Sequence, residues 1–242
     1  MLKIKNLSVS IEDKQLINNL SLTIDEGTVH ACMGPNGSGK SSLTYALMGH
    51  PNYKITQGSI LLNDTDITSL TPDKRAKAGL FLSLQQPYAI PGVVLSTFLR
   101  ESFRALYPDE SLDTYLDRLS DACTILKFER SFLDRAVHEG FSGGEKKRCE
   151  MLQLLILQPK LAILDEIDSG LDVDALKCVA AGLQAFKKQS PQSSIFLITH
   201  YQRILDYITP EVVHILQDGQ LVQSGDASLV THIEKHGYKD FE

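Results

Sequence analysis

The order of hydrophobic runs predicts an α/β fold: a mostly parallel sheet with helices on both faces, an N-terminal antiparallel β subdomain and an inserted helical subdomain. Three observations predict it. Strand-like runs alternate with helical stretches in the first and last thirds of the chain. The middle third carries apolar residues at helical spacing. A glycine-rich loop stands between a short apolar strand and a helix.

The elements follow in order. LKIKNLSVSI and QLINNLSLTI are rich in β-branched and aliphatic residues and flank the polar turn Glu12-Asp13-Lys14. TVHACM is a short strand ending at the glycine-rich loop, and a helix is expected from Lys40 to about Met48. SILLN and GLFLS read as further strands. From about Tyr88 to Gln158 the period changes, and LSTFLRESFRALY and DTYLDRLSDACTILK read as helices. Leu116, Leu119, Cys123 and Leu126 would share one face. LAILD then returns to strand, followed by a helix from about Val173 to Lys188 with Leu176, Val179, Ala180 and Leu183 as its buried stripe. SIFLIT, VVHIL and QLVQSG complete the strands. No internal repeat or long linker interrupts this order. A single domain over residues 1–242 is expected, with 1–87 and 159–242 as the α/β core and 88–158 as the helical subdomain.

A chain of 242 residues can bury a sizeable core. Its 43% hydrophobic and 22% charged residues are an ordinary globular balance. The net charge of -6 and the absence of tryptophan argue against a nucleic-acid partner or an anionic membrane surface. No run approaches the roughly 18 apolar residues of a membrane helix. MLKIKNLSVSIEDK holds no apolar stretch of secretion-signal type. A cytoplasmic location without direct membrane insertion is therefore expected. Cys32, Cys123, Cys149 and Cys178 are scattered and read as reduced, mostly buried thiols rather than metal ligands.

Three motifs carry chemistry. Gly34, Pro35, Asn36, Gly37, Ser38, Gly39, Lys40 and Ser41, with Ser42 following, match GxxxxGK[ST] after a strand and before a helix. Backbone N–H groups curled by the glycines and the positive end of the helix suit a polyphosphate. Lys40 can reach the β- and γ-phosphates, and the Ser41 hydroxyl can ligate Mg²⁺. The alternative is an accidental glycine-rich turn. In LAILDE, an apolar strand ends in two acids, Asp165 and Glu166. Beside a phosphate loop, Asp165 suits Mg²⁺ and Glu166 suits orienting or deprotonating a water; alone, the pair is an exposed turn. In FSGGEKKR, Ser142 is an N-cap and three cations follow where the helix dipole disfavours them. Either this is a solvated charge run with Glu145 in partial compensation, or the helix start faces an external anion.

Together these residues resemble the ATP-binding-cassette ATPases. GPNGSGKS is similar to the Walker A loop, FSGGEKKR to the signature and LAILDE to Walker B. Gln85 stands at the Q-loop, Asp172 in the D-loop and His200 at the switch histidine. The resemblance covers essentially the whole chain and implies a P-loop NTPase cassette hydrolysing ATP with Mg²⁺. It implies Lys40, Gln85, Glu166 and His200 as catalytic, and Ser41, Gln85 and, through water, Asp165 at the metal. It further implies a transient ATP-dependent dimer, in which Ser142, Gly143 and Gly144 of one copy meet the γ-phosphate held by the other.

Within that family, Ile167 after the Walker B acids, Glu145 in the signature, the Ile90-Pro-Gly-Val93 segment and Tyr201 after His200 resemble the ATPase of the SUF iron–sulfur cluster assembly system. That implies SufB- and SufD-like scaffold subunits as partners. The rival readings are the nucleotide-binding subunit of a membrane transporter and a nucleotide-binding scaffold without hydrolysis. In each partnered reading, residues around Gln86 to Val94 are expected to make the docking contact. Many cassettes stack an aromatic residue on adenine from the N-terminal strand. Here Ser8 to Ile11 offers none, Ile11 is the expected substitute, and loose affinity with weak base discrimination is the expectation.

Overall fold

The computed structural model describes residues 1–200 and 202–241. In chain order the elements begin with β1 (Leu2–Ile11), β2 (Lys14–Ile24), β3 (Val29–Met33), α1 (Lys40–Met48), β4 (Lys54–Leu62), β5 (Thr65–Asp66), α2 (Pro72–Ala78) and β6 (Leu80–Ser83). The central part holds β7 (Ile90–Val94), α3 (Leu95–Leu106), α4 (Leu112–Ile125), β8 (Ala136–Val137) and α5 (Gly143–Leu157). The chain continues through β9 (Leu161–Asp165), α6 (Val173–Gln189), β10 (Ser194–Ile198), α7 (Gln202–Leu205), β11 (Val212–Gln217), β12 (Gln220–Gly225) and α8 (Ser228–His236).

Two sheets form the core. β1 pairs antiparallel with both β2 and β4, and β5 extends that sheet to the order β2-β1-β4-β5. The alternation of β2, with Ile17, Leu20, Leu22 and Ile24 buried, is that of a sheet wet on one face. The second sheet has the order β12-β11-β3-β10-β9-β6, parallel except for the β11–β12 hairpin. Its central strands β3, β9 and β10 are buried at every position. That is why they read as unbroken apolar runs rather than alternating ones. The ends of β3 and β9, where the phosphate loop and the paired acids lie, are brought to one edge by their shared neighbour β10.

The expected helical subdomain differs from observation in three ways. First, β7 and β8 pair antiparallel across the insert, so it carries a small ribbon. Second, its apolar residues Leu95, Leu99 and Phe103 join one continuous core with Val29, Ala31 and Leu164 of the main sheet. The insert has no core of its own because α5 is sunk between it and α6, with every residue from Cys149 to Leu157 buried. Third, the buried face of α4 is Tyr115, Ala122 and Cys123, with Leu126 just beyond, whereas Leu116 is exposed. Tyr115 packs on Phe103 and takes the place that Leu116 was expected to fill. The stripe of α6 is as the periodicity predicts. The thiols of Cys32, Cys123 and Cys149 are buried and free, and Cys178 is half-buried.

Candidate functional site

The phosphate loop leaves β3 at Gly34. A side chain there would place its Cβ 2.1 Å from the carbonyl oxygen of Leu216, so β11 presses directly on the loop and only glycine fits. Gly39 caps α1 with φ 103°, and no side chain caps that helix. The first amides of α1 therefore keep their hydrogens for an anion. The Lys40 ammonium donates to the carbonyls of Gly34 and Pro35, both at 2.9 Å. Burial lowers its pKa, and the nearby Glu166 and Asp165 charges oppose that.

The acids sit at the end of β9. Asp165 is 1% exposed, and the Thr44 hydroxyl donates to its Oδ2 at 3.4 Å. Its Oδ1 is buried with no partner. Burial raises the Asp165 carboxyl, while the Ser41 hydroxyl lowers it. An orphaned carboxylate oxygen beside a serine hydroxyl is the donor set a hard cation takes, so these residues fit Mg²⁺.

Glu166 follows at φ 47°, which turns its carboxylate out of the strand line. Its Oε2 accepts from Gln85 Nε2 at 2.6 Å, and its Oε1 lies 3.0 Å from His200 Nε2. Burial lowers the His200 pKa and Lys40 adds to that, against the pull of Glu166. Lys14, Leu16, Asn36, Lys40, Ser41, Glu166 and His200 contribute to the lining of one open cavity of about 300 Å³. The structure thus brings Lys40, Gln85, Glu166 and His200 together.

The signature lies elsewhere. Ser142 caps α5 reciprocally with Glu145: the Ser142 amide donates to Glu145 Oε2 at 2.7 Å and the Glu145 amide to Ser142 Oγ at 3.3 Å. Ser142 and Gly143 are exposed, and a Cβ on Gly143 would meet nothing within 4 Å. None of Ser142, Gly143 and Gly144 lines the phosphate cavity of its own chain. The external-anion expectation needs a correction for Lys147, which is buried and donates to the carbonyls of Leu84 and Gln85 at 3.0 and 2.8 Å. Asp172 caps α6 by accepting from the Ala175 amide at 2.7 Å. Ile11 lines a neighbouring apolar cleft with Tyr45, Met48, Tyr53 and Tyr88, and Lys14 and Leu16 line the cavity of the phosphate loop. Tyr201 lies outside the described residues.

Sequence reasoning missed Thr44, Asp168 and Tyr238. Thr199 Oγ1 donates to both carboxylate oxygens of buried Asp168, tying the segment after Glu166 to the strand end before His200. Tyr238, 204 residues along the chain, accepts from the Gly34 amide at 3.1 Å. The spacing of Thr44 one helical turn after Ser41 was the one available signal among these.

Comparison with known proteins agrees with this geometry. A family model described as ABC transporter matches residues 17–169. The chain is 49% identical over 241 residues to a "Probable ABC transporter ATP-binding protein" of Streptococcus pyogenes serotype M3, spanning 98% of this chain and 93% of the relative. It is 46% identical over 243 residues to "Probable ATP-dependent transporter ycf16" of Antithamnion sp., spanning 98% and 96%. It is 48% identical over 240 residues to "Vegetative protein 296" of Bacillus subtilis (strain 168), spanning 98% and 91%. Among solved structures, the ATP-binding cassette MJ0796 in a dimeric post-hydrolysis state with ADP and Pi superposes with a TM-score of 0.79 at 20% identity, covering 94% of this chain and 99% of that one. At that identity the likeness shows the fold. The chain belongs to the ABC transporter family. It is an ATP-binding cassette that hydrolyses ATP, built as a P-loop α/β fold with an antiparallel N-terminal sheet and a mostly parallel main sheet.

Proposed function

We propose that this chain is the ATP-hydrolysing subunit of a larger assembly, and that two copies close head to tail so that Ser142, Gly143 and Gly144 of each reach the γ-phosphate held by the other. The observation that carries this reading is the outward placement of the signature: Lys40, Ser41, Glu166 and His200 line one cavity, while Ser142 and Gly143 are exposed and line no part of it. In the bound state, the loop from Gly34 to Ser42 holds the phosphates through the first amides of α1 and the Lys40 ammonium, with Lys40 released from its own carbonyls. Ser41, Gln85 and, through water, Asp165 would hold Mg²⁺, which when bound neutralises charge on the phosphate oxygens. Glu166 takes the proton of the attacking water, and the phosphoryl group passes to that water in line with ADP leaving. In the resting chain both Glu166 oxygens are engaged, by Gln85 and His200. Opening the Gln85 hydrogen bond would free Glu166 for the water and leave Gln85 among the groups that would hold Mg²⁺, with His200 left to contact the γ-phosphate. The aromatic-free wall at Lys14 and Leu16 supports weak discrimination between ATP and GTP.

The assembly proposed first is a transporter whose membrane helices lie on other chains. The names printed for the relatives from Streptococcus pyogenes and Antithamnion support it, and no helix among the described residues here is long and apolar enough to cross a membrane. The second reading is a SufC-like role, remodelling a SufB- and SufD-like scaffold during iron–sulfur cluster assembly. Two features favour it: Ile167 fully buried where transporters usually carry proline, and the exposed Ile90–Val94 strand beside Tyr88. Affinity purification of the full chain from its own cell separates them. Co-eluting integral membrane proteins support the transporter; co-eluting water-soluble scaffold proteins with bound iron and sulfide support the second. Dimer closure is tested by light scattering of Glu166→Gln with Mg-ATP. A monomer in the presence of its partners would overturn the two-copy reading.

A further inference from the structure

Glu150 and His138 take no part in the chemistry above, yet both are buried, at 5% and 4% exposure. His138 stands in the turn between β8 and α5, and Glu150 within α5. His138 Nδ1 lies 3.0 Å from the backbone carbonyl oxygen of Tyr88. A carbonyl only accepts, so Nδ1 carries the ring hydrogen. The other nitrogen, Nε2, is buried without a hydrogen-bond partner and faces Glu150 Oε1 at 3.4 Å. A neutral imidazole with its hydrogen on Nδ1 presents a lone pair at Nε2, and an ionised carboxylate presents another at Oε1. Two acceptors facing each other away from water are costly unless one proton lies between them.

We propose that His138 and Glu150 share one proton, and that this proton closes a clasp holding the Q-loop segment against the signature helix. The segment from Leu84 to Tyr88 is gripped at two points. Lys147 donates to the carbonyls of Leu84 and Gln85, and His138 donates to that of Tyr88. Glu150 sits one helical turn beyond Lys147 and stands behind His138. Gln153 Nε2 donates to the same Oε1 at 2.9 Å and fixes the carboxyl plane. The groups facing the pair are Lys146, Lys147 and Gln153 from α5, Ser83 from β6 and the ring of Phe141. Burial holds the Glu150 carboxyl up at about 7, against Lys147, Ser83 and Gln153. Burial lowers His138, helped by Lys146 and Lys147 and opposed by the Tyr88 carbonyl.

The proton therefore resides on Glu150 and is donated to His138 Nε2, which needs only a small approach from 3.4 Å to make a normal hydrogen bond. Raising the pH passes it to hydroxide and leaves carboxylate against lone pair. The Tyr88 side chain is 72% exposed, so His138 is the buried anchor of that end of the segment. His138 and Glu150 are positioning residues: they act on Gln85 through the backbone it shares with Tyr88.

The test needs no nucleotide, so it stands or falls apart from the assembly proposed above. In the full-length ¹⁵N-labelled chain, the His138 ring is expected to hold the Nδ1–H tautomer throughout, with Nε2 shifting in one step near about pH 7. In Glu150→Gln the amide donates to Nε2 at every pH and the step disappears. Exchange of the Gln85, Gln86 and Tyr88 amides should rise severalfold above the step in the wild type and stay slow in the variant, after correction for intrinsic exchange. Where partners allow turnover, Glu150→Gln should keep its ATPase rate at about pH 8.5 while the wild type falls roughly threefold. Should Glu150→Gln fail to fold, His138→Gln carries the test, with fast exchange at these amides and no step at any pH. An Nε2–H tautomer, or a His138 titration identical in the wild type and Glu150→Gln, overturns the proposal. So does exchange at these amides that ignores both variants.

Discussion

The phosphate side and the signature side of this molecule handle their polar groups in opposite ways. On the phosphate side, Lys40, Asp165, Glu166 and His200 converge on one another, and each finds a partner inside its own chain apart from Asp165 Oδ1. On the signature side, Ser142 satisfies its helix end with Glu145, while Gly143 faces open space. In the mechanism proposed above, the first arrangement holds the nucleotide and keeps its general base, Glu166, engaged. The second has no substrate of its own. In the two-copy reading proposed above, the reaction must wait for a second molecule, and hydrolysis reports on association.

The largest expected effect separates the base from the cradle. Glu166→Gln should cut turnover by about 10²–10⁴-fold, the range for removing a positioned proton acceptor. Binding to the Gly34–Ser42 loop should persist, read by equilibrium titration with a fluorescent ATP analogue. The next tests the two-sided design itself. Gly144→Asp sets a carboxylate where the partner's γ-phosphate is expected, and turnover should fall by about 10²-fold with nucleotide affinity of the single chain unchanged. Mixing Gly144→Asp with Lys40→Ala should restore part of the rate, because each mixed dimer regains one intact pairing of loop and signature. A mixture no more active than its components would show that the sites are not composite.

Much of the phosphate side was legible, because its chemistry is local. Gly34 to Ser42 is contiguous, and Asp165 and Glu166 terminate an apolar run. The strands on either side of β10 could be read from unbroken burial. What escaped was set by tertiary neighbours. Lys147 looks like one cation among three, and only the approach of Leu84 and Gln85 makes it a buried donor. Ile11 lines an apolar cleft with Tyr45 and Tyr53, side chains far from it in sequence. Leu116 fits the helical period of α4, yet Phe103 receives Tyr115 instead. His138 and Glu150 are twelve residues apart on a turn and a helix, and no spacing rule joins them.

A stability measurement extends the comparison to the strand beneath the phosphate loop. His30 on β3 and His214 on β11 are stacked and buried, with Nδ1 of the first 2.8 Å from Nε2 of the second, and His214 Nδ1 lies 2.7 Å from the Ser224 hydroxyl. Burial, with the His30 charge added, depresses His214 to about 4. The unfolded chain takes up the proton near about 6.5, so the stabilisation is complete above that pH and is lost as the pH falls toward about 4. The loss should amount to roughly 2–3 kcal/mol in chemical denaturation, and His214→Gln should flatten the acid limb. An unchanged limb would show that the acid sensitivity arises outside this pair, and not from Asp165, whose carboxyl burial raises.

The smallest effect concerns how the loop is braced. Leu216 closes one side of Gly34, and the Tyr238 hydroxyl receives its amide hydrogen at 3.1 Å. Burial raises the Tyr238 pKa, so the phenol stays neutral in the physiological range. Tyr238→Phe keeps the ring and removes the acceptor, leaving a backbone donor without its partner at a cost of about 1 kcal/mol. For a chain of this size that is a fall in Tm of about 2–4 °C. If the brace serves only the fold, nucleotide affinity stays where it is. If it also sets the entry of the phosphate loop, ATP affinity falls several-fold while the rate at saturation holds. The C-terminal turn would then belong to the phosphate side even though it lies at the far end of the sequence.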